Sequence, residues 1–188
     1  MTDPDQREAA VPSADRGTGI AVVDDGADHD DALAVRYAVF VEGQGVPEEL
    51  EVDEHEHEAG VVHFAAYDDG SAIGAARLRP YEGHGHDGHG SEEADGRDGT
   101  DHRDGTGTAT RRAKVERVAV VESRRGEGWG ARLMDAVEDE ARARGFDGIV
   151  LHAQTHVEGF YADRGYETVG EEFEEAGIPH VEMRLSLD

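Results

Sequence analysis

The clearest chemistry lies in one stretch, Val115–Arg132, which reads VERVAVVESRRGEGWGAR. An apolar run that predicts a strand passes into Arg124-Arg125-Gly126-Glu127-Gly128-Trp129-Gly130, and an amphipathic helix pattern follows at once. Glycines at alternate positions let the backbone turn tightly and come close to a ligand. The first N–H groups of a helix have no intrahelical acceptor and lie at the positive end of its dipole, so such a junction makes an anion site. The charges agree: residues 111–132 hold seven cations (Arg111, Arg112, Lys114, Arg117, Arg124, Arg125, Arg132) and three acids, a window of +4 in a chain of −26. The competing reading is a glycine-rich turn whose arginines pair with an acidic surface. Two familiar phosphate patterns are absent. No G-x-x-x-x-G-K-[ST] occurs, and G-x-G-x-x-G fails at Ala131 and lacks a repeated parallel βαβ unit.

The elements that must position this junction follow from periodicity. Ile20–Val23 predicts a first strand, and a helix follows over Asp30–Val41, capped by Asp28, with Leu33, Tyr37 and Phe40 or Val41 on one face. Gly43–Asp53 contains Pro47 and reads as loop or short helix. Val61–Tyr67 and Ser71–Arg79 form a hairpin turned at Asp68-Asp69-Gly70. Ala113–Val121 is the next strand. Gly128–Arg144 is the best helix, with Leu133, Met134, Val137 and Ala141 at helical spacing and Gly145 ending it. Ile149–Ala153 is a buried strand, Val157–Arg164 a helix closed by Gly165, and Thr168–Phe173 and Val181–Leu187 the last strands. The order predicts an α+β or α/β layered domain with a mixed sheet.

Composition bounds the rest. The 188 residues suit one domain. There is no cysteine, which excludes disulfides, thiol catalysis and cysteine-ligated zinc. A net charge of −26 argues against nucleic acid or an anionic membrane as partner. No apolar run spans a bilayer and no signal peptide is visible, so a cytoplasmic protein is expected. Residues 1–17 and the Gly/His-rich acidic insertion 82–110 read as disordered, leaving a single domain over 18–188. Those two segments carry only −2 and −6, so the other 142 residues hold −18, and Lys114 is the chain's single lysine. Repulsion on that scale is screened at molar salt, where the Debye length is about 3 Å, which points to a halophilic archaeal source. His84, His86, His89 and His102 in the insertion have no fixed geometry, and no H-E-x-x-H occurs, so no metal is expected. A metal-buffering role for that insertion is the weakest of the readings.

Arg125, Gly128 and Gly130 fit Arg-x-x-Gly-x-Gly, the acetyl-CoA pyrophosphate loop of the GCN5-related N-acetyltransferases (GNAT), which the chain closely resembles. ERVAV before the loop and FYADRGY (Phe160–Tyr166) match that family's central strand and later helix. VRYAVFVEGQGVPEELEVD (Val35–Asp53), LHAQ (Leu151–Gln154) and EEAGIPHVEM (Glu174–Met183) resemble its ElaA-like subgroup more narrowly. The resemblance covers essentially everything outside the two polar segments. It implies a mostly antiparallel sheet of six or seven strands flanked by helices, splayed between strands 113–121 and 149–153. The pantetheine arm would lie in that gap against Val118 and Val120. The pyrophosphate would bind across Arg125, Gly126, Gly128, Trp129 and Gly130. An acetyl group would pass from acetyl-CoA to a primary amine, small-molecule or peptide, by direct attack; the alternative is a non-catalytic acyl-CoA-binding regulator on the same fold. Tyr161 matches the family's general acid and could equally be a core tyrosine. Glu116 stands two residues before Val118, so strand alternation puts both on one face, where the carboxylate could act as base through water; the alternative is an ion pair. His180 and His152 are further base candidates, each equally readable as structural. Arg36, Gln44, Asp53 and His180 fall on the substrate side. A homodimer is left open.

Overall fold

The computed structural model describes residues 17–23, 26–81 and 111–187. The expectations of disorder at 1–17 and 82–110, and the four histidines of the insertion, lie outside the described residues apart from Gly17. One seven-stranded sheet is formed by β1 (Gly19–Val23), β2 (Val62–Asp68), β3 (Ser71–Tyr81), β4 (Arg112–Val120), β5 (Gly148–Gln154), β6 (Glu167–Glu175) and β7 (Ile178–Ser186), in the order β1-β2-β3-β4-β5-β7-β6. Every neighbouring pair is antiparallel except β4 with β5. The β2–β3 turn has Asp69 at φ 47° and Gly70 at φ 79°, and the β6–β7 turn repeats this at Ala176 and Gly177, with φ 51° and 75°. Two-residue turns with both central φ positive match the twist of the strands they join.

Helices cover both faces. α3 (Trp129–Ala143) buries Leu133, Met134, Val137 and Ala141 on one face, against Phe64, Leu78, Val115, Leu151 and Met183. α4 (Glu158–Ala162) adds Tyr161 to the same cluster. α1 (Ala27–Arg36) packs Ala32 and Val35 on the other face, against Ala65, Tyr67, Ala75 and Ala119. The helix expected as one element over Asp30–Val41 begins earlier, with Gly26 as its N-cap rather than Asp28, and changes at Tyr37 into a π-helical turn running to Glu42. That places Asp28 and Asp30 in the first turn, where their charge favours the dipole. Pro47 then starts α2 (Glu48–Glu51) as its N-cap, and a 3₁₀ turn follows at Glu54–His57.

Two irregularities of β4 set up the site. Its ladder to β5 stops at Val115↔Leu151, and beyond that β5 pairs only with β7. Against β3, Ala75 pairs with Ala119 and Arg77 with Glu116, so β4 carries one extra residue, and Arg117 takes φ 57° within the bulge. An extra residue flips the alternation downstream of it. Ala113, Val115, Val118 and Val120 therefore pack on the α3 face and Ala119 on the α1 face. Glu116 and Val118 lie on opposite faces, contrary to the expectation from simple alternation.

Candidate active site

The strand-to-helix junction has the open form that an anion needs. Gly126 and Gly128 are left-handed, at φ 79° and 85°, and a Cβ on either would meet no atom within 4 Å. Here glycine serves the backbone shape and leaves the loop's surface clear. The N–H of Arg125 bonds to the Glu122 carbonyl (3.2 Å) and the first closing bond of α3 is Arg132 N–H to Gly128 O (3.1 Å). Between them the N–H groups of residues 126–131 make no hydrogen bond among the described residues, and α3 has neither a side-chain cap nor an acid in its first turn. The row of donors therefore begins at Gly126, one residue later than expected. The Arg125 side chain is tied to the end of β4: its Nε donates to the Val120 carbonyl (3.1 Å). Trp129 is the first residue of α3 with its indole buried, not displayed on the loop, and Arg132 and Arg124 lie over its ring at 4.6 and 5.8 Å. Its backbone N–H stays available.

Beside this junction, where β4 and β5 part, a cavity of about 420 Å³ opens. Val118, Ala153, Val157 and Tyr161 line it on the side toward the loop, and Phe40, Gln44, Glu49 and Leu50 on the side toward the α1–α2 segment. Asp53, Glu116, His152 and His180 line it too. Gln44 and Gln154 bridge it, with Gln154 Nε2 donating to Gln44 Oε1 at 2.8 Å. Val120 is not among the lining residues; it sits in the same unpaired half of β4.

The polar floor is an ion network that the sequence did not announce. Arg36 is buried, donating from Nε to Glu51 (2.6 Å) and from Nη1 to Glu56 (2.6 Å). It braces α1 against the following turns and does not line the cavity, which corrects its placement on the substrate side. Arg77 is fully buried and holds three carboxylates: Asp53 through two bonds of 2.7 Å, Glu56 at 2.8 Å and Glu116 at 2.6 Å. Glu116 is bonded by Arg79 (3.1 and 3.2 Å) and lies 3.2 Å from Lys114 Nζ. Burial would make Glu116 easier to protonate, but Arg79, Arg77 and Lys114 outweigh it and hold the carboxyl below the ordinary carboxylate range. A carboxylate held so firmly charged has little affinity for a proton, so its geometry carries the ion-pair reading and not that of a base. Asp53 is lowered in the same way: burial opposes, and Arg77 and Arg117 prevail. Glu56 is held down to about 2, because the Arg36 bond and the charges of Arg36, His63 and Arg77 overcome burial. His29, Glu56 and His63 bring possible ligand atoms within 4.8 Å of one another. The two guanidiniums already on Glu56 oppose a further cation there.

Tyr161 is buried at the cavity wall with the rings of Phe160 and Tyr166 at 5.0 and 5.7 Å. Among the described residues its hydroxyl makes no hydrogen bond, and burial pushes its pKa up to about 12, so it carries its proton at neutral pH. His152 sits between Glu175 (Nδ1, 3.1 Å) and Glu182 (Nε2, 3.9 Å). His180 is buried, its Nδ1 2.8 Å from the Ile178 carbonyl. The cavity thus gathers Gln44, Asp53, Glu116, Val118, Tyr161 and His180, and leaves Arg36 outside; Arg125, Trp129 and the glycines do not line it, and Gly130 stands close to Phe160, the neighbour of Tyr161. Sequence reasoning missed Arg77, Glu51 and Glu56. Arg77 carries the available signal, a charge at an inward position of an apolar strand.

Comparison with known proteins fits this architecture. A family model described as "Acetyltransferase (GNAT) domain" matches residues 103–187. YjcF of Bacillus subtilis, called an uncharacterized N-acetyltransferase, is 36% identical over 154 residues, covering 81% of this chain and 89% of that protein. Among solved structures, an acyl-CoA N-acyltransferase from Pseudomonas aeruginosa aligns with TM-score 0.68 at 25% identity, covering 89% of this chain and 99% of that one. Escherichia coli ElaA aligns with TM-score 0.67 at 22% identity, covering 89% and 98%.

Proposed function

The chain belongs to the GNAT acetyltransferase family, and from that premise we propose that it transfers the acetyl group of acetyl-CoA to a primary amine by direct attack. The observation that carries this is the adjacency of two features on one strand. β4 loses its β5 partner after Val115, and the N–H groups of residues 126–131, leading into the helix that follows β4, are unbonded among the described residues. A pantetheine arm laid in the gap beside Val118 and Val120 has its diphosphate at those donors. Gly126, Gly128, Trp129 and Gly130 then contribute backbone N–H groups, while the Arg125 Nε ties the loop to the end of β4.

The thioester carbonyl would lie in the cavity near Tyr161, whose hydroxyl is protonated and uncommitted. Tyr161 serves as the donor to the departing sulfur. Glu116 is reassigned from base to strut: with Arg77 it fixes the strand positions that shape the cavity floor. The acceptor is a small-molecule or peptide amine entering between the α1–α2 segment and the β6–β7 turn.

The test is calorimetric titration of acetyl-CoA into the protein and into Gly128→Asp, in molar KCl. Aspartate tolerates left-handed φ better than most residues but brings a negative charge to the donor row. Expected is saturable binding to the wild type and loss of at least about tenfold in affinity for the variant, about 1.4 kcal/mol, with an unchanged far-UV spectrum. No heat with the wild type, or equal affinity in the variant, overturns the cofactor assignment.

A further inference from the structure

The structure assigns proton removal from the incoming amine to His180, an assignment that rests on the acetyl-transfer reading. The argument runs through the titratable groups around the cavity. On α2 and the turn after it, Glu51 is bonded by Arg36 and lies 3.3 Å from Arg117, and Asp53 is gripped by Arg77 and Arg117. Glu49 stands exposed at the rim. On β4, Glu116 answers three cations, Lys114 among them. On β6, Glu175 accepts from His152 at 3.1 Å, and that bond, with the charges of His152, Lys114 and His180, holds its carboxyl below the ordinary range; Glu175 is thus the carboxylate that His180 feels. On β5, both ring nitrogens of His152 face carboxylates, Glu175 and Glu182. On α4, Tyr161 holds its proton.

His180 differs from all of these. A carbonyl oxygen can only accept, so the 2.8 Å contact from Nδ1 to Ile178 O places the proton on Nδ1. Nε2 is then a lone pair, and it has no partner among the described residues. The ring is fixed as well: Phe173 stacks on it at 6.1 Å and 25°, and its strand register sets it opposite Gln154. Gln154 is the residue whose amide bridges the cavity to Gln44. A buried imidazole with a locked tautomer and an open nitrogen on the cavity wall is what a general base requires.

The step balances as follows. Nε2 of His180 takes a proton from the ammonium and later returns it to solvent. The freed nitrogen pair attacks the thioester carbonyl carbon, forming N–C. The C–S bond breaks with its electron pair going to sulfur. Tyr161 gives its proton to that sulfur and regains one from the amide nitrogen. The products are an N-acetyl amide, free thiol and one proton.

The test compares wild type with His180→Asn, whose side-chain amide can keep the bond to Ile178 O while lacking a nitrogen at the Nε2 position. Acceptors are 1,4-diaminobutane, 2-phenylethylamine and trialanine amide, with thiol release followed from pH 5 to 9. Expected is a drop in kcat/KM of about a hundredfold or more, with loss of the acidic limb of the wild-type pH profile. Acetyl-CoA affinity should be unchanged, and His152→Asn should keep the limb. A wild-type profile in His180→Asn, or a limb lost instead in His152→Asn, overturns the assignment. Wild type that binds no acetyl-CoA refutes the underlying reading instead. Independently of any acceptor, nitrogen-15 NMR must show His180 protonated on Nδ1 in the free protein; a proton on Nε2 also overturns it.

Discussion

Replacing Glu56 by Gln removes one charge from the centre of the buried network and leaves the shape almost intact. The carboxylate accepts from Arg36 Nη1 at 2.6 Å and Nη2 at 3.2 Å, and from Arg77 Nη1 at 2.8 Å; His29 Nε2 lies 3.0 Å away. The three charged side chains are 0–1% exposed, so solvent does little to screen the loss. Leaving buried cations short of a partner costs about 3–5 kcal/mol. A second route gives a similar size. Glu56 falls from 4.5 in the unfolded chain to about 2, and at about 1.4 kcal/mol per unit that is roughly 3 kcal/mol. The sign follows from a folded value below the unfolded one: the stabilisation is complete above pH 4.5 and is lost as pH falls toward 2. For a domain of this size each kcal/mol moves Tm by about 2–4 °C, so Glu56→Gln should melt roughly 6–20 °C lower at pH 7. It should also lose stability less steeply between pH 4.5 and 2, because its own titration is gone. Thermal melts followed by circular dichroism in molar KCl measure both. A Tm within about 2 °C of wild type together with the same acid slope would refute the view that this network holds the fold together.

Tyr161→Phe should cut kcat by roughly a hundredfold while leaving acetyl-CoA affinity and Tm nearly unchanged, since the hydroxyl bonds to nothing among the described residues; an unaltered rate in a steady-state thiol assay removes it from the mechanism. Dilution below roughly 0.1 M salt lengthens the Debye length to about 10 Å and restores repulsion among the acids, so far-UV structure should be lost and should return in molar KCl. Equal spectra at both salts would refute a high-salt origin.

Much of the fold was legible because its elements rest on local rules. The Leu133, Met134, Val137 and Ala141 stripe sets the buried face of α3 unaided, and Asp69-Gly70 supplies the positive φ angles of its hairpin. Ala176-Gly177 was available as a second such turn, and reading it would have extended β6 and β7 to their observed ends. The π-helical turn at Tyr37–Glu42 left no comparable signal. Its aromatic and β-branched residues (Tyr37, Val39, Phe40, Val41) name no particular helix type, and the backbone there packs around the buried Arg36 and Val39. The glycine loop was readable for the same reason as the hairpins: few residue types accept φ near 80°.

The side chains proposed for catalysis were harder to place, and β4 shows why. Period-two alternation is a local rule, valid only while the ladder is unbroken. One extra residue at Arg117 turns Val118 toward α3 while Glu116 stays with Asp53 and Arg77. Nothing in VERVAV marks that bulge, since the residue with positive φ is an arginine and not a glycine. Arg117 is held there by long-range bonds to the Leu50 carbonyl at 2.7 Å and to Asp53 at 3.1 Å, partners more than sixty residues away. The same bonds place the carboxylates of the substrate-side segment against cations, which removes them as bases. The group proposed for proton removal has a local partner instead: His180, fixed by a carbonyl two residues before it. Residues whose role depends on a short-range bond could be nominated from sequence. Residues such as Glu116, whose candidate role is cancelled by distant arginines, could not be excluded from it.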